Sequence, residues 1–204
     1  MTRRNPHFKT KPRALGHARN LLLCKTFLAD KLVASVAPTS AFAVKRLCRL
    51  IDFAKARLII EYGPGTGAFS SYLLKNMRRD ARLILIEQNR DLCLALNHIR
   101  RDLRVDLVRG KVQQCFDRLW SNGGRGADYI ISGIPFSFLS QQDRSAIVQN
   151  SHQTLRNGGA LLAYQTFCQP HGHLGAHLKE HFDDVKIMQE VRNLPPLRIF
   201  QAIK

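Results

Sequence analysis

The stretch Glu61-Tyr62-Gly63-Pro64-Gly65-Thr66-Gly67 follows an apolar run, Leu58-Ile59-Ile60, and precedes an amphipathic run over residues 69–74. That order is strand, glycine turn, helix. Glycines at three alternate positions let the backbone pass close under a ligand with no Cβ in the way. The N–H groups that open the following helix have no intrahelical partner and are free to meet such a ligand. The spacing is G-x-G-x-G, with an acid two places before the first glycine, and so differs from the G-x-G-x-x-G of dinucleotide folds. A chain that makes this turn is committed to a βα unit.

The remaining sequence repeats that unit. Strands are predicted over 58–62, 82–87, 105–108, 129–132 and 160–165, with helices over 68–77, 90–100 and 140–155 and a short one near 112–119. Gly123-Gly124-Arg125-Gly126 reads as a loop and Asn157-Gly158-Gly159 as a turn. A Gly- and His-containing loop over 169–175 leads to a helix near 176–181. Two closing strands, 184–191 and 198–203, are joined through Asn193-Leu194-Pro195-Pro196. Alternating strands and helices imply an α/β fold with a doubly wound, mostly parallel, seven-stranded sheet. The last two strands imply an antiparallel hairpin at one edge. At 204 residues the chain is one domain with a short appendage.

Charge marks that appendage. The formal net charge is +17, and the first 57 residues hold thirteen of the thirty-two Lys/Arg but two of the fifteen acids. Residues 1–56 are read as a basic helical extension and 57–204 as the α/β domain. Within the extension a helix is predicted over 15–36, with Leu21, Cys24, Leu28 and Leu32 near one face, and a second over 41–53 behind a Ser40 cap. A basic arm of this kind suits a polyanion, either nucleic acid or an anionic membrane surface. The five cysteines are widely spaced and form no C-x-x-C pair, which argues against a disulfide framework and for reduced, buried thiols. No apolar run is long enough to span a bilayer, and no signal-peptide pattern follows the basic start. His171, His173 and His177 lack ligand partners at metal spacing, so no metal is expected.

In a doubly wound sheet the ligand lies beyond the carboxyl ends of the strands, at the switch in strand order. Glu61 and Glu87 end the first two strands. Gly63, Gly65 and Gly67 are expected to floor the site, Glu61 to help grip the bound ligand, Glu87 to accept hydrogen bonds from ribose hydroxyls, and Gln88 to help frame an adenosine.

With Glu61, the glycine run resembles motif I of the class I S-adenosylmethionine-dependent methyltransferases, a Rossmann-like fold. That resemblance implies S-adenosylmethionine as cofactor and S-adenosylhomocysteine as product. Such enzymes often carry an acid after the third strand to read the adenine amine. Here Lys111 stands in its place, and a lysine accepts no hydrogen bond, which leaves Val112 as an apolar contact for the adenine. The fourth strand ends in Ser132-Gly133-Ile134-Pro135-Phe136. Ribosomal RNA adenine N6-methyltransferases have Asn-[Leu/Ile]-Pro-[Tyr/Phe] at this point, and Gly133 removes the Asn. Those enzymes also add a C-terminal helical domain, whereas this sequence stops at its last strand.

The chain is more similar to the bacterial phospholipid N-methyltransferases, which convert phosphatidylethanolamine towards phosphatidylcholine. The similarity rests on Val36-Ala37-Pro38-Thr39-Ser40, the turn from Glu61 to Gly67, Ser132-Gly133-Ile134-Pro135-Phe136, Ala163-Tyr164-Gln165, and Arg192-Asn193-Leu194-Pro195-Pro196-Leu197-Arg198. It implies a phospholipid substrate and a catalytic set of Tyr164, Ser132, Gly133, Pro135 and Phe136. Tyr164 is the first candidate to contact the amine and Phe136 the second, since a methylated ammonium sits well on an aromatic face. A lipid substrate further implies peripheral binding on the cytoplasmic face of the membrane through the basic N-terminal helix, and the protein is expected to be a monomer. RNA adenine methylation is the alternative, because a nucleic acid also suits a +17 chain.

Overall fold

The computed structural model describes residues 39–123, 125–167 and 172–204. The basic arm and its helix over 15–36 lie outside the described residues. The chain opens with α1 (Ala41–Cys48), whose Ser40 side chain accepts from the Ala43 N–H. There follow β1 (Leu58–Tyr62), α2 (Ala68–Asn76), β2 (Arg82–Glu87), α3 (Arg90–Ala95), α4 (Asn97–Arg100) and β3 (Val105–Arg109). Next are α5 (Phe116–Ser121), β4 (Ala127–Ser132), α6 (Gln141–Thr154) and β5 (Leu155–Thr166). The last elements are α7 (Gly172–His181), β6 (Asp184–Glu190) and β7 (Leu197–Ile203).

The strands form one seven-stranded sheet in the order β3-β2-β1-β4-β5-β7-β6. β1 to β5 run parallel, and β7 runs antiparallel between β5 and β6. Strand alternation splits the core into two layers. Ile60, Tyr62, Ile130, Leu161 and Phe200 pack with α6 and α7 on one face. Ile59, Leu83, Ile131, Leu162 and Ile199 pack with α1, α2 and α4 on the other. The connections diverge between β1 and β4, so the carboxyl ends of these two strands flank the switch point where such sheets bind ligands.

Four departures from the expected boundaries have local causes. The first helix ends at Cys48 rather than continuing to Phe53, because Asp52 turns the chain. Its carboxylate accepts from the Ala54 N–H (3.1 Å) and its own N–H donates to the Tyr129 hydroxyl (3.1 Å). The helix expected over 90–100 breaks after Ala95, where His98 Nδ1 lies 2.8 Å from the Ala95 carbonyl oxygen and competes with the backbone ladder. Asn157-Gly158-Gly159 is not a free turn but an irregularity inside β5, which begins five residues earlier than expected. The Gly158 N–H donates to the Lys204 carbonyl (2.7 Å), and the Lys204 N–H donates back to the Gly159 carbonyl (2.9 Å). Helix α7 takes in residues 172–175, which were expected as loop.

Candidate active site

The glycine turn is fixed from two directions. Gly67 caps α2 at φ +80°, a conformation L side chains resist, and a Cβ there would run into Leu96 and Ile99. Glu87 secures the middle of the turn: Oε2 accepts from the Gly65 N–H (3.2 Å) and Oε1 from the Asn89 N–H (2.9 Å). The carboxylate at the end of β2 thus holds the floor of the site and the start of α3 in one arrangement.

Above this turn lies a cavity of about 320 Å³ at the carboxyl ends of β1, β4 and β5. Of the residues expected at the cofactor site, Gly63, Gly65, Glu87, Gln88 and Val112 line it, and so does Lys111. Of the expected acceptor-side residues, Gly133, Pro135 and Tyr164 line it. Gly67, Glu61, Ser132 and Phe136 stand behind the wall. Gly67 serves the packing just described. Phe136, 1 % exposed, belongs to the core over α6 and α7, and the aromatic that reaches the cavity is its neighbour Phe138. Ser132 is wholly buried, and its hydroxyl has no partner.

Glu61 is also buried, pointing to α2, where the Ser70 hydroxyl donates to its Oε2 at 2.6 Å. Burial raises its pKa to about 7, the Ser70 bond opposes that rise, and the nearby Glu87 charge adds to it. The acid therefore lies beneath the cavity and not in its wall.

Tyr164 enters from the same face as Glu61. Its ring lies 4.9 Å from that of Phe69, and its hydroxyl is hydrogen-bonded to Thr39. Burial first, and then the Glu61 charge, push the phenol above its ordinary pKa, so it stays neutral at physiological pH. Gly133 is what admits it: a Cβ at position 133 would collide with the Tyr164 hydroxyl and ring. The two positions form a matched pair.

Sequence reasoning missed several lining residues. Asn193 accepts from the Ser40 N–H (2.8 Å) and donates to the Pro195 carbonyl (2.7 Å), so it ties the β6–β7 connection to the start of α1 beside the cavity. The motif Asn-Leu-Pro-Pro carried this signal, because a buried Asn in a proline turn serves its neighbours' backbones. Gln165, 3 % exposed, lines the cavity with its Oε1 unpartnered. Phe138 on one flank, and Phe42 and Leu194 next to Asn193 and Ser40 on the other, are exposed at 55 %, 55 % and 83 %.

Among the described residues no group of His, Cys, Asp and Glu is placed to hold a metal ion. His171 lies outside the described residues. His177 sits on α7 with Nδ1 3.2 Å from Glu180 Oε2. Cys48, Cys93 and Cys115 are free thiols, and burial followed by the Glu61 charge pushes Cys48 up to about 12.

No protein-family model matches the sequence. The chain is 27 % identical over 184 residues to an ornithine lipid N-methyltransferase from Singulisphaera acidiphila, covering 86 % of this chain and 91 % of that one. Among solved structures it superposes on the O-methyltransferase TomG of Streptomyces achromogenes, in complex with S-adenosylmethionine, with a TM-score of 0.69. Identity there is 17 %, over 96 % of this chain and 92 % of that one. An O-methyltransferase from Bacillus cereus, in complex with S-adenosylhomocysteine, gives 0.67 at 13 % identity over 97 % and 93 %. The fold is that of the class I methyltransferases. The order β3-β2-β1-β4-β5-β7-β6 with one reversed strand is this fold's sheet, and the cavity occupies its switch point.

Proposed function

We propose that this class I fold is an S-adenosylmethionine-dependent N-methyltransferase that acts on the primary amine of a lipid headgroup, phosphatidylethanolamine, at a membrane surface. The observation that carries this reading is the pair Gly133 and Tyr164. An adenine N6-methyltransferase needs Asn at position 133, and the phenol occupies that space. The cavity then presents a neutral hydroxyl and two aromatic rings, Tyr164 and Phe69, at the place where those enzymes carry the Asn amide. The Singulisphaera relative supports a lipid amine as acceptor, and its ornithine lipid is the second candidate headgroup.

S-adenosylmethionine, when bound, supplies an electrophilic methyl group on a sulfonium. Gly63, Gly65, Glu87, Gln88 and Val112 are the residues proposed to hold it, with Glu61, bonded to Ser70, supporting the turn from beneath. Tyr164 orients the amine. If the lipid amine resembles lysine, its pKa lies near ~10, and removing its proton at pH 7 costs roughly 4 kcal/mol. Alignment of the two reactants can contribute roughly 7–11 kcal/mol, which exceeds that cost and makes a dedicated base dispensable. A phenol held neutral cannot take the proton itself, but it gives the nitrogen an oxygen to bond and its product, a methylated ammonium, an aromatic face.

The cavity's flanks support a membrane-surface reading. Phe42, Phe138 and Leu194 project beside it, and Arg192 lies over the Phe42 ring (5.1 Å). Among the described residues no helix is long and apolar enough to cross a membrane.

The test is methyl transfer from methyl-labelled S-adenosylmethionine, offered vesicles of phosphatidylethanolamine or of ornithine lipid and, separately, ribosomal RNA. Label in a lipid fraction and none in RNA is expected. Label in RNA alone overturns the proposal.

A further inference from the structure

The segment before α1 and the β6–β7 connection meet at the acceptor end of the cavity, where Thr39 and Asn193 both line the wall. The Ser40 N–H donates to Asn193 Oδ1 (2.8 Å), and the Asn193 amide donates to the Pro195 carbonyl (2.7 Å). The Ser40 hydroxyl caps α1 by accepting from the Ala43 N–H (3.2 Å). These bonds fix the backbone on either side of Ser40 and so hold Thr39 against the cavity, while the cap itself makes no use of the threonine hydroxyl. That hydroxyl serves Tyr164, whose phenol is hydrogen-bonded to it. The phenol is confined on its other sides. A Cβ on Gly133 would collide with its oxygen, and the Phe69 ring packs 4.9 Å from its own.

A phenol is a far stronger acid than an aliphatic alcohol, so in such a pair the phenol donates and the threonine oxygen accepts. Thr39 is half-buried, which leaves its own proton free to turn to solvent. The direction of this bond matters to methyl transfer. The amine attacks with its lone pair: the N–C bond forms as the S–C bond breaks, and sulfur keeps the bonding pair. The ammonium product then releases its proton to solvent. An O–H donated to the nitrogen occupies the electrons that this attack needs. A phenol whose proton is already given away presents only its oxygen, which accepts an N–H and leaves the lone pair free. We infer that Thr39 is a positioning residue: by accepting the Tyr164 proton it makes the phenol an acceptor for the substrate amine and keeps the nitrogen lone pair available to the methyl group. The inference rests on the lipid-amine reading above.

The test uses the full chain with phosphatidylethanolamine vesicles and compares kcat and KM for the lipid between the wild type, Thr39→Val and Thr39→Ser. S-adenosylhomocysteine affinity checks that the cofactor side is intact. Thr39→Val keeps the branched shape and removes the acceptor, so the phenol proton turns to the nitrogen, which steadies the bound amine and slows its attack. One hydrogen bond to a neutral group predicts a fall in kcat of about fivefold to tenfold. KM is expected to fall or to stay within about twofold. Thr39→Ser, which restores the acceptor, is expected to lie within about twofold of wild type in both constants. In a Tyr164→Phe background, which has no phenol proton, Thr39→Val is expected to change kcat by less than about twofold. Where Tyr164→Phe is too slow to follow, the split between kcat and KM and the serine rescue decide. Should Thr39→Val fail to fold, Thr39→Ala is read by the same criteria. An unchanged kcat, a loss confined to KM, a serine variant as slow as the valine one, or an equal loss without the phenol overturns the inference and leaves the lipid-amine reading standing. A wild type that labels no lipid headgroup removes that reading, and the inference falls with it.

Discussion

Glu61 shows how a motif residue can be recognised and misplaced together. Its position two before Gly63 marked the turn, but its side chain follows Ile59 onto the α2 face and meets Ser70 rather than the cavity. The motif gave no sign of which way the strand would rotate. Its burial has a pH consequence. An acid whose folded pKa is raised to about 7 contributes stability that is fully present below about 4.5 and is lost as pH rises through 7. The shift corresponds to about 3 kcal/mol. Glu61→Gln in the cofactor-free protein should therefore show a stability that, relative to wild type, climbs between about pH 4.5 and 7 and then levels off. Urea denaturation across pH 4–8 reads this directly, and a pH-independent difference would refute the assignment. Gln165 escaped assignment for the opposite reason: a polar side chain at a strand end is ordinarily solvated, and only the assembled layers show that it is buried.

Element types followed from periodicity, and β1 and β2 begin and end at the residues expected for them. Helix ends were less legible because they depend on partners distant in sequence. Arg104, in the loop before β3, donates to the carbonyls of Leu74 (3.0 Å), Met77 (3.3 Å) and Arg78 (3.1 Å), which closes the end of α2. Asp102 holds the guanidinium at 2.7 and 2.9 Å, and those bonds lower its own pKa to about 2. No local pattern in the α2 sequence announces a cap some thirty residues away. Arg104→Met keeps the apolar stem and removes the donors. The expected loss is about 1.5–3 kcal/mol in urea denaturation, while S-adenosylhomocysteine affinity stays near wild type because α2 opens, rather than ends, at the site. The interruption of β5 at Gly158 has a similar origin, since its partner is the chain's last residue, Lys204.

At the scale of the molecule, the alternation of strands and helices was enough to foresee a doubly wound sheet with one antiparallel edge, because right-handed βα units leave few other arrangements. The shape of the acceptor side was not foreseeable. It arises where three separate segments converge: Thr39 and Ser40, the Gly133 loop, and Asn193. The apolar flanks built from these segments are proposed to meet the bilayer. Leu194→Asp combined with Phe138→Asp should weaken binding to anionic vesicles by at least about tenfold, as judged by co-sedimentation, since burying each such side chain contributes about 1.5–3 kcal/mol. Unchanged co-sedimentation would remove these residues from the docking face. The decisive measurement is mass spectrometry of the headgroup after the purified chain, S-adenosylmethionine and phosphatidylethanolamine vesicles are incubated together. Methyl increments on the headgroup nitrogen are expected, and they should vanish in Tyr164→Ala. Unmodified headgroups in a preparation that binds S-adenosylhomocysteine and methylates RNA would contradict the lipid-amine function.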